Sequence, residues 1–166
     1  WGAVEELSST AKAERYAATW RTLRADSALC LGSYAFTWGA KQEATATWYG
    51  MLLPDGSRLA AVDRMAEEWS GRAPVNRCPV VDALVVEGAS AVAPGGRLRV
   101  RLAVRDPELD SLRVEWTLRA DAMSYETGGD VRPAPRAYPE CVLRAGADGA
   151  ELALPKRTGR YRLSVV

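Results

Sequence analysis

The sequence predicts an α/β segment over residues 1–72 followed by an all-β sandwich over residues 75–166. Three observations carry that expectation. Two stretches with helical apolar spacing lie between Ser8 and Gly71, and an alternating aromatic run lies between them. After Pro74 the hydrophobic period drops to two, and short runs are separated by Gly, Pro and Asp turns. A strand between two helices cannot close a sheet alone, so residues 1–71 read as the end of a larger α/β unit.

The first helix is expected to begin at Ser8-Ser9-Thr10, whose hydroxyls can accept from free amide donors, and to run to about Ala25. Ala13, Tyr16, Ala17, Trp20 and Leu23 mark its apolar face. A strand follows over residues 29–38, and Cys30 in the run Ala28-Leu29-Cys30-Leu31 reads as a small buried hydrophobe. The second helix is expected from Gly56-Ser57 to Gly71, with Leu59, Val62, Met65, Ala66 and Trp69 facing a core. In the second part, Leu98, Val100, Leu102 and Val104 alternate with Arg97, Arg99, Arg101 and Arg105. Leu112, Val114, Trp116 and Leu118 repeat the scheme, and further strands are expected near residues 83–87, 150–154 and 160–166.

Composition excludes several kinds of chemistry. With 22 Lys and Arg against 21 Asp and Glu, nothing points to nucleic acid or an anionic membrane as a partner. No apolar run approaches the roughly 20 residues that span a bilayer. The chain has no histidine, so it holds no Ser-His-Asp or Cys-His apparatus and no histidine-bearing zinc site. Cys30, Cys78 and Cys141 have no metal-ligand spacing, and a Cys78–Cys141 disulfide is only weakly motivated. No metal site and no cofactor are expected. Asp106-Pro107-Glu108-Leu109-Asp110 offers oxygen ligands for calcium but reads better as an ordinary turn. The loop through Glu126-Thr127-Gly128-Gly129-Asp130 and on to Pro139 is long enough to need a role.

Residues 32–51 concentrate the candidate chemistry. Tyr34, Phe36 and Trp38 alternate with small residues, and Lys41, Gln42 and Glu43 follow in a polar loop that ends at Trp48-Tyr49-Gly50. A pyranose offers an apolar face of axial C–H groups and an equator of hydroxyls, which calls for a flat ring and polar partners. Trp38 can supply the ring, Lys41, Gln42 and Glu43 the polar partners, and Trp48 or Tyr49 a wall. The competing reading is that the three alternating aromatics are core residues. Glu43 reads better as a salt-bridged or solvated loop residue than as a nucleophile, and Glu5 and Glu6 as the charged approach to a helix N-terminus.

Trp116 in a mid-domain strand resembles the core tryptophan of immunoglobulin-like folds. Gly159-Arg160-Tyr161-Arg162-Leu163-Ser164-Val165 resembles their tyrosine-bearing penultimate strand, which implies a sandwich truncated before its last strand. The order Trp1-Gly2-Ala3, Ser8-Ser9-Thr10-Ala11-Lys12-Ala13, Gly32-Ser33-Tyr34, Trp38-Gly39, Lys41-Gln42-Glu43 and Thr47-Trp48-Tyr49-Gly50-Met51 resembles bacterial proteins with a glycoside hydrolase family-2-type TIM barrel. In them this stretch is the last βα unit of the barrel, followed by an immunoglobulin-like domain opening with a segment similar to Asn76-Arg77-Cys78-Pro79.

The resemblance implies a glycoside hydrolase or transglycosylase acting on a polysaccharide or oligosaccharide, in the periplasm or outside the cell. It implies that the catalytic carboxylates precede Trp1, so that this chain holds no catalytic residue and is inactive alone. The remainder of the barrel, in the same or another chain, is then a partner. Trp38 is expected to floor the sugar subsite, with Lys41, Gln42, Glu43, Trp48 and Tyr49 around it. The alternative is a non-catalytic carbohydrate-binding or spacer module, including a degenerate barrel that holds a glycan without turnover.

Overall fold

The computed structural model describes residues 4–89, 91–122, 124 and 128–166. They fall into two compact units, one of Glu5–Val80 with Tyr125–Ala134, the other of Trp1–Val4, Val81–Ser124 and Pro135–Val166.

In the first unit α1 spans Ser9–Ala25, and the Ser8 hydroxyl accepts from the Ala11 N–H at 3.2 Å, meeting one of the donors a helix start leaves free. Helix α2 spans Ala60–Ser70 and ends on Gly71, whose φ of 72° places it in the left-handed region. It starts later than the Gly56-Ser57 expected from sequence. The reason is local: Asp55 Oδ1 accepts from the Ser57 N–H at 2.9 Å, Leu53 N–H donates to Ser57 O at 2.8 Å, and Leu52 bridges Arg58, so this segment is committed to a turn. The first free N–H of α2, at Ala60, instead meets the Ser9 hydroxyl of α1 at 3.0 Å.

The two helices close on Ala13, Met51, Ala61, Val62 and Met65, with Tyr16, Trp20, Ala35, Leu52 and Ala60 packed around them. Trp69, expected on this face, is exposed instead, because it lies in the last turn beyond the reach of that cluster. Arg64 of α2 pairs with Glu14 of α1 at 3.0 Å and with Glu67 at 2.6 Å, contributions that stay small where partners are solvated.

Residues 29–38 form no strand. A strand needs a ladder, and this segment finds only residues 49–51: Thr37 N–H donates to Tyr49 O, and Met51 N–H to Thr37 O, each at 3.1 Å. The run around Cys30 is not buried either, since Leu29 and Leu31 are fully open to solvent and Cys30 is partly exposed. All three cysteines are free, so the Cys78–Cys141 disulfide does not form.

The second unit holds six strands among the described residues: β1 Val80–Glu87, β2 Arg97–Arg105, β3 Trp116–Ala120, β4 Val142–Ala145, β5 Gly149–Ala153 and β6 Tyr161–Val165. They make a four-stranded sheet in the order β1-β2-β5-β4 and a two-stranded sheet of β3 and β6. The pairs β2–β5, β5–β4 and β3–β6 are antiparallel, with Leu98 opposite Leu152 and Trp116 opposite Val165. Arg101 meets Glu87, and Arg105 meets Asp82 at 3.4 Å, so β1 also runs against β2. Strand β4 was not expected; it is four residues long, is entered from a single 3₁₀ turn at Pro139–Cys141, and carries an irregularity at Val142/Arg144.

Side chains from both sheets share one core, built on Val100, Leu118, Cys141, Ala150 and Leu152 with Trp116, Tyr161 and Leu163 against it. The arginines of β2 alternate outward as expected. Gly149 is required where it stands, because a Cβ there would lie 2.4 Å from Val100 O on the neighbouring strand. Tyr161, at the start of β6, packs edge-on to Tyr138 and donates its hydroxyl to Arg157 O at 2.7 Å; Trp116 donates its indole N–H to Gly146 O at 2.9 Å. Asp106 Oδ1 accepts from the N–H groups of Glu108 and Asp110 at 2.9 and 3.0 Å, the bonding of a turn. Among the described residues no helix is long and apolar enough to cross a membrane.

Candidate functional site

The aromatic segment and the loop after it form one structure in the first unit. Tyr34, Phe36 and Trp38 are 100%, 59% and 68% exposed, while Ala35 between them packs on the helical core. The alternation read from sequence is therefore real, but the rings face outward and are not core. After Trp38 the chain leaves at Gly39 and returns at Gly50. The N–H groups of Met51 and Leu52 donate to Gly39 O at 3.1 and 3.2 Å, which ties the ends of a compact loop of the Ω type. Gly50 makes that closure possible: a Cβ there would sit 2.9 Å from Gly39 O and 3.2 Å from Leu52 O.

Lys41, Gln42 and Glu43 turn into this loop. Lys41 Nζ pairs with Glu43 at 2.8 Å and donates to Gly129 O at 3.0 Å, and Gln42 Nε2 donates to Glu43 O at 3.1 Å. Glu43, 4% exposed, accepts from the Gly128 N–H at 3.1 Å, and Arg132 N–H donates to Gln42 O at 3.3 Å. The Lys41 ammonium holds the Glu43 carboxyl below the usual glutamate range against the burial that pushes it up, with the Gly128 N–H and the Arg132 charge adding to it. These residues thus fasten the loop to residues 128–132. Glu126 and Thr127 of the long loop lie outside the described residues.

Trp48 and Tyr49 stand at the far end of the loop, half-buried, with rings edge-on at 6.4 Å. Tyr49 also meets the Phe36 ring edge-on at 5.8 Å, which joins the loop to the exposed aromatic row.

Three groups that sequence reasoning passed over as site residues hold this arrangement from α1 and its approach. Lys12 Nζ pairs with Glu6, donates to Thr47 O at 2.7 Å and lies 6.0 Å from the centre of the Trp48 ring. The Thr47 hydroxyl donates to the same Glu6 oxygen at 2.8 Å. Burial pushes the Glu6 carboxyl up, but hydrogen bonds from Lys12, Thr45 and Thr47 and the Lys12 charge outweigh it, so Glu6 sits below the usual range. The Tyr16 hydroxyl donates to Phe36 O and reaches Tyr49 O at 3.5 Å, and burial pushes its phenol up, which keeps the proton on. The signal for the two on α1 lay in Lys12 and Tyr16 at i and i+4 of one helix.

The arrangement can present flat rings to a ligand from a firmly tied loop. No group of three or more metal-ligating side chains occurs among the described residues. No protein-family model matches this chain, and no curated protein sequence matches it.

Proposed function

We propose that this chain is the C-terminal portion of a carbohydrate-active enzyme, a glycoside hydrolase or transglycosylase, and contributes a glycan-binding wall and an accessory sandwich. The observation that carries the reading is the row Tyr34, Phe36 and Trp38, which stays open to solvent while the chain behind it packs on the helices. Burying a large aromatic is strongly favourable, so three of them left exposed within five residues make an apolar surface that a ligand or the rest of the barrel would cover. Trp38 floors the subsite by stacking on the apolar face of a sugar, and Trp48 and Tyr49 wall it.

In this reading α1, the aromatic segment, its loop and α2 are the last βα unit of a TIM barrel, and the aromatic segment, which forms no strand here, becomes one when a neighbouring barrel strand supplies its ladder. The position of a tied loop directly after the segment assigned as the strand fits that assignment, because barrel enzymes place their sites in the loops that follow strands. The second unit is then an immunoglobulin-like sandwich. Its sheet orders, β1-β2-β5-β4 and β3-β6, match strands A-B-E-D and C-F of that fold. The Tyr161 hydroxyl bonded to a carbonyl four residues upstream supports it as well, being the geometry of a tyrosine corner.

The test is binding of β-glucan oligosaccharides to the chain. Trp38→Ala is expected to abolish it, and unchanged affinity in that variant refutes the stacking role. Hydrolysis of a glycan by this chain alone would overturn the placement of the catalytic carboxylates elsewhere.

A further inference from the structure

We infer that the wall formed by residues 34–49 takes a neutral glycan and rejects anionic ones such as uronic acid or sulfated polymers. This rests on the glycan-wall reading above and narrows its substrate class. Lysines near exposed aromatics would ordinarily be read as anion hooks. Here both are spent inside the protein.

Lys41 gives its ammonium to Glu43 at 2.8 Å and to Gly129 O at 3.0 Å. Lys12 gives its own to Glu6 and to Thr47 O at 2.7 Å. Recruiting the Lys41 ammonium to a ligand carboxylate would leave Glu43 buried without its counter-charge, and recruiting Lys12 would leave the half-buried Glu6 without its own, the costly half of breaking such a pair. Gln42 is also engaged, through its Nε2 on Glu43 O. The Arg132 charge adds to the lowering of the Glu43 carboxyl, and its backbone N–H donates to Gln42 O at 3.3 Å.

What remains outward is the faces and edges of Tyr34, Phe36 and Trp38. An aromatic face carries the negative side of the ring quadrupole, which welcomes polarised C–H groups and repels a carboxylate or sulfate. Selection by ring faces without an unspent cation favours an uncharged sugar with a flat apolar side.

The experiment follows the Trp38 indole N–H resonance of the full chain, identified by its loss in Trp38→Phe. Cellohexaose and laminarihexaose are titrated beside their 6-carboxylated counterparts of equal length, each at about 20 and about 500 mM salt, conditions that span weak to strong screening. A neutral hexasaccharide is expected to shift the resonance, with the carboxylated partner at least about tenfold weaker and the neutral affinity changing less than about twofold with salt. If a carboxylated oligosaccharide binds as tightly or more tightly and weakens steeply with salt, the neutral-glycan inference falls while the glycan wall stands. If none of the four moves the resonance, the wall itself is wrong and the inference falls with it.

Discussion

Gly50→Ala tests whether the closure of the Ω loop is set by backbone contact. The added Cβ would lie 2.9 Å from Gly39 O, 3.2 Å from Leu52 O and 3.4 Å from Ala40 Cα. All three atoms are backbone, so no side-chain rotation relieves the contact. Gly39 O already accepts from the N–H groups of Met51 and Leu52, at 3.1 and 3.2 Å. Moving it away by a few tenths of an ångström stretches both bonds and shifts Met51, which is fully buried in the helical core. Overpacking of this kind costs about 1–3 kcal/mol. Taking about 2 kcal/mol, a chain of this length should melt about 4–8 °C lower. Differential scanning calorimetry gives the shift, and hydrogen exchange at the Met51 and Leu52 amides gives its location. A variant that melts within about 1 °C of the parent with both amides still protected refutes the reasoning.

Lys12→Met should cost about 1–3 kcal/mol in urea unfolding, less than a fully buried pair because both partners keep some solvent access. Its pH signature follows from Glu6, whose carboxyl is lowered on folding. The stabilisation is present above the ordinary glutamate value of 4.5 and is lost as pH falls through the lower folded value, so Lys12→Met should flatten that acid limb. Leu152→Ala, at a fully buried position between both sheets, should cost about 2–5 kcal/mol, and a loss under about 1 kcal/mol would contradict the shared core. Burial and the neighbouring Asp63 push the Cys78 thiol up to about 12, so at pH 8 only about one molecule in ten thousand carries the thiolate. Mass spectrometry should find Cys78 far slower to alkylate with iodoacetamide in the folded chain than in urea; equal rates would remove that environment.

The start of α1, the end of α2 and the periodicity of β2 were legible because they are local. Ser8 meets an amide three residues on, Gly71 closes α2 four residues after Glu67, and the arginines of β2 alternate with its buried positions. Strand β4 was not, since four residues with an irregularity give no readable period and its partner β5 supplies the register. For residues 34–38 the alternation was legible but the side was not. Whether the rings face in or out depends on what Ala35 packs against, and that is a helix elsewhere in the chain. The types in Lys41-Gln42-Glu43 were plain from sequence, yet Glu43 meets Gly128, 85 residues away, so their inward direction was beyond local reasoning.

The apolar stripe of α1 tells only half of what that helix does. At 100° per residue, Trp20, Ala13 and Ala17 fall at about 20°, 40° and 80° from Ser9, which is the side that packs on the core. Ser9, Tyr16 and Lys12 lie next to them, within an arc of about 60° on the other flank. Each of the three holds a different piece: Ser9 the start of α2, Tyr16 the aromatic segment at Phe36, and Lys12 the loop at Thr47. A hydrogen bond to a backbone N–H or carbonyl contributes little net energy and fixes direction, whereas an apolar contact fixes only proximity. The core therefore sets how close the aromatic row and the loop stand to α1, and the polar flank sets how they are turned. A substitution on that flank that keeps volume, such as Tyr16→Phe, should loosen the orientation of Phe36 and Tyr49 more than it lowers stability. That would separate a role in holding the wall from a role in holding the fold.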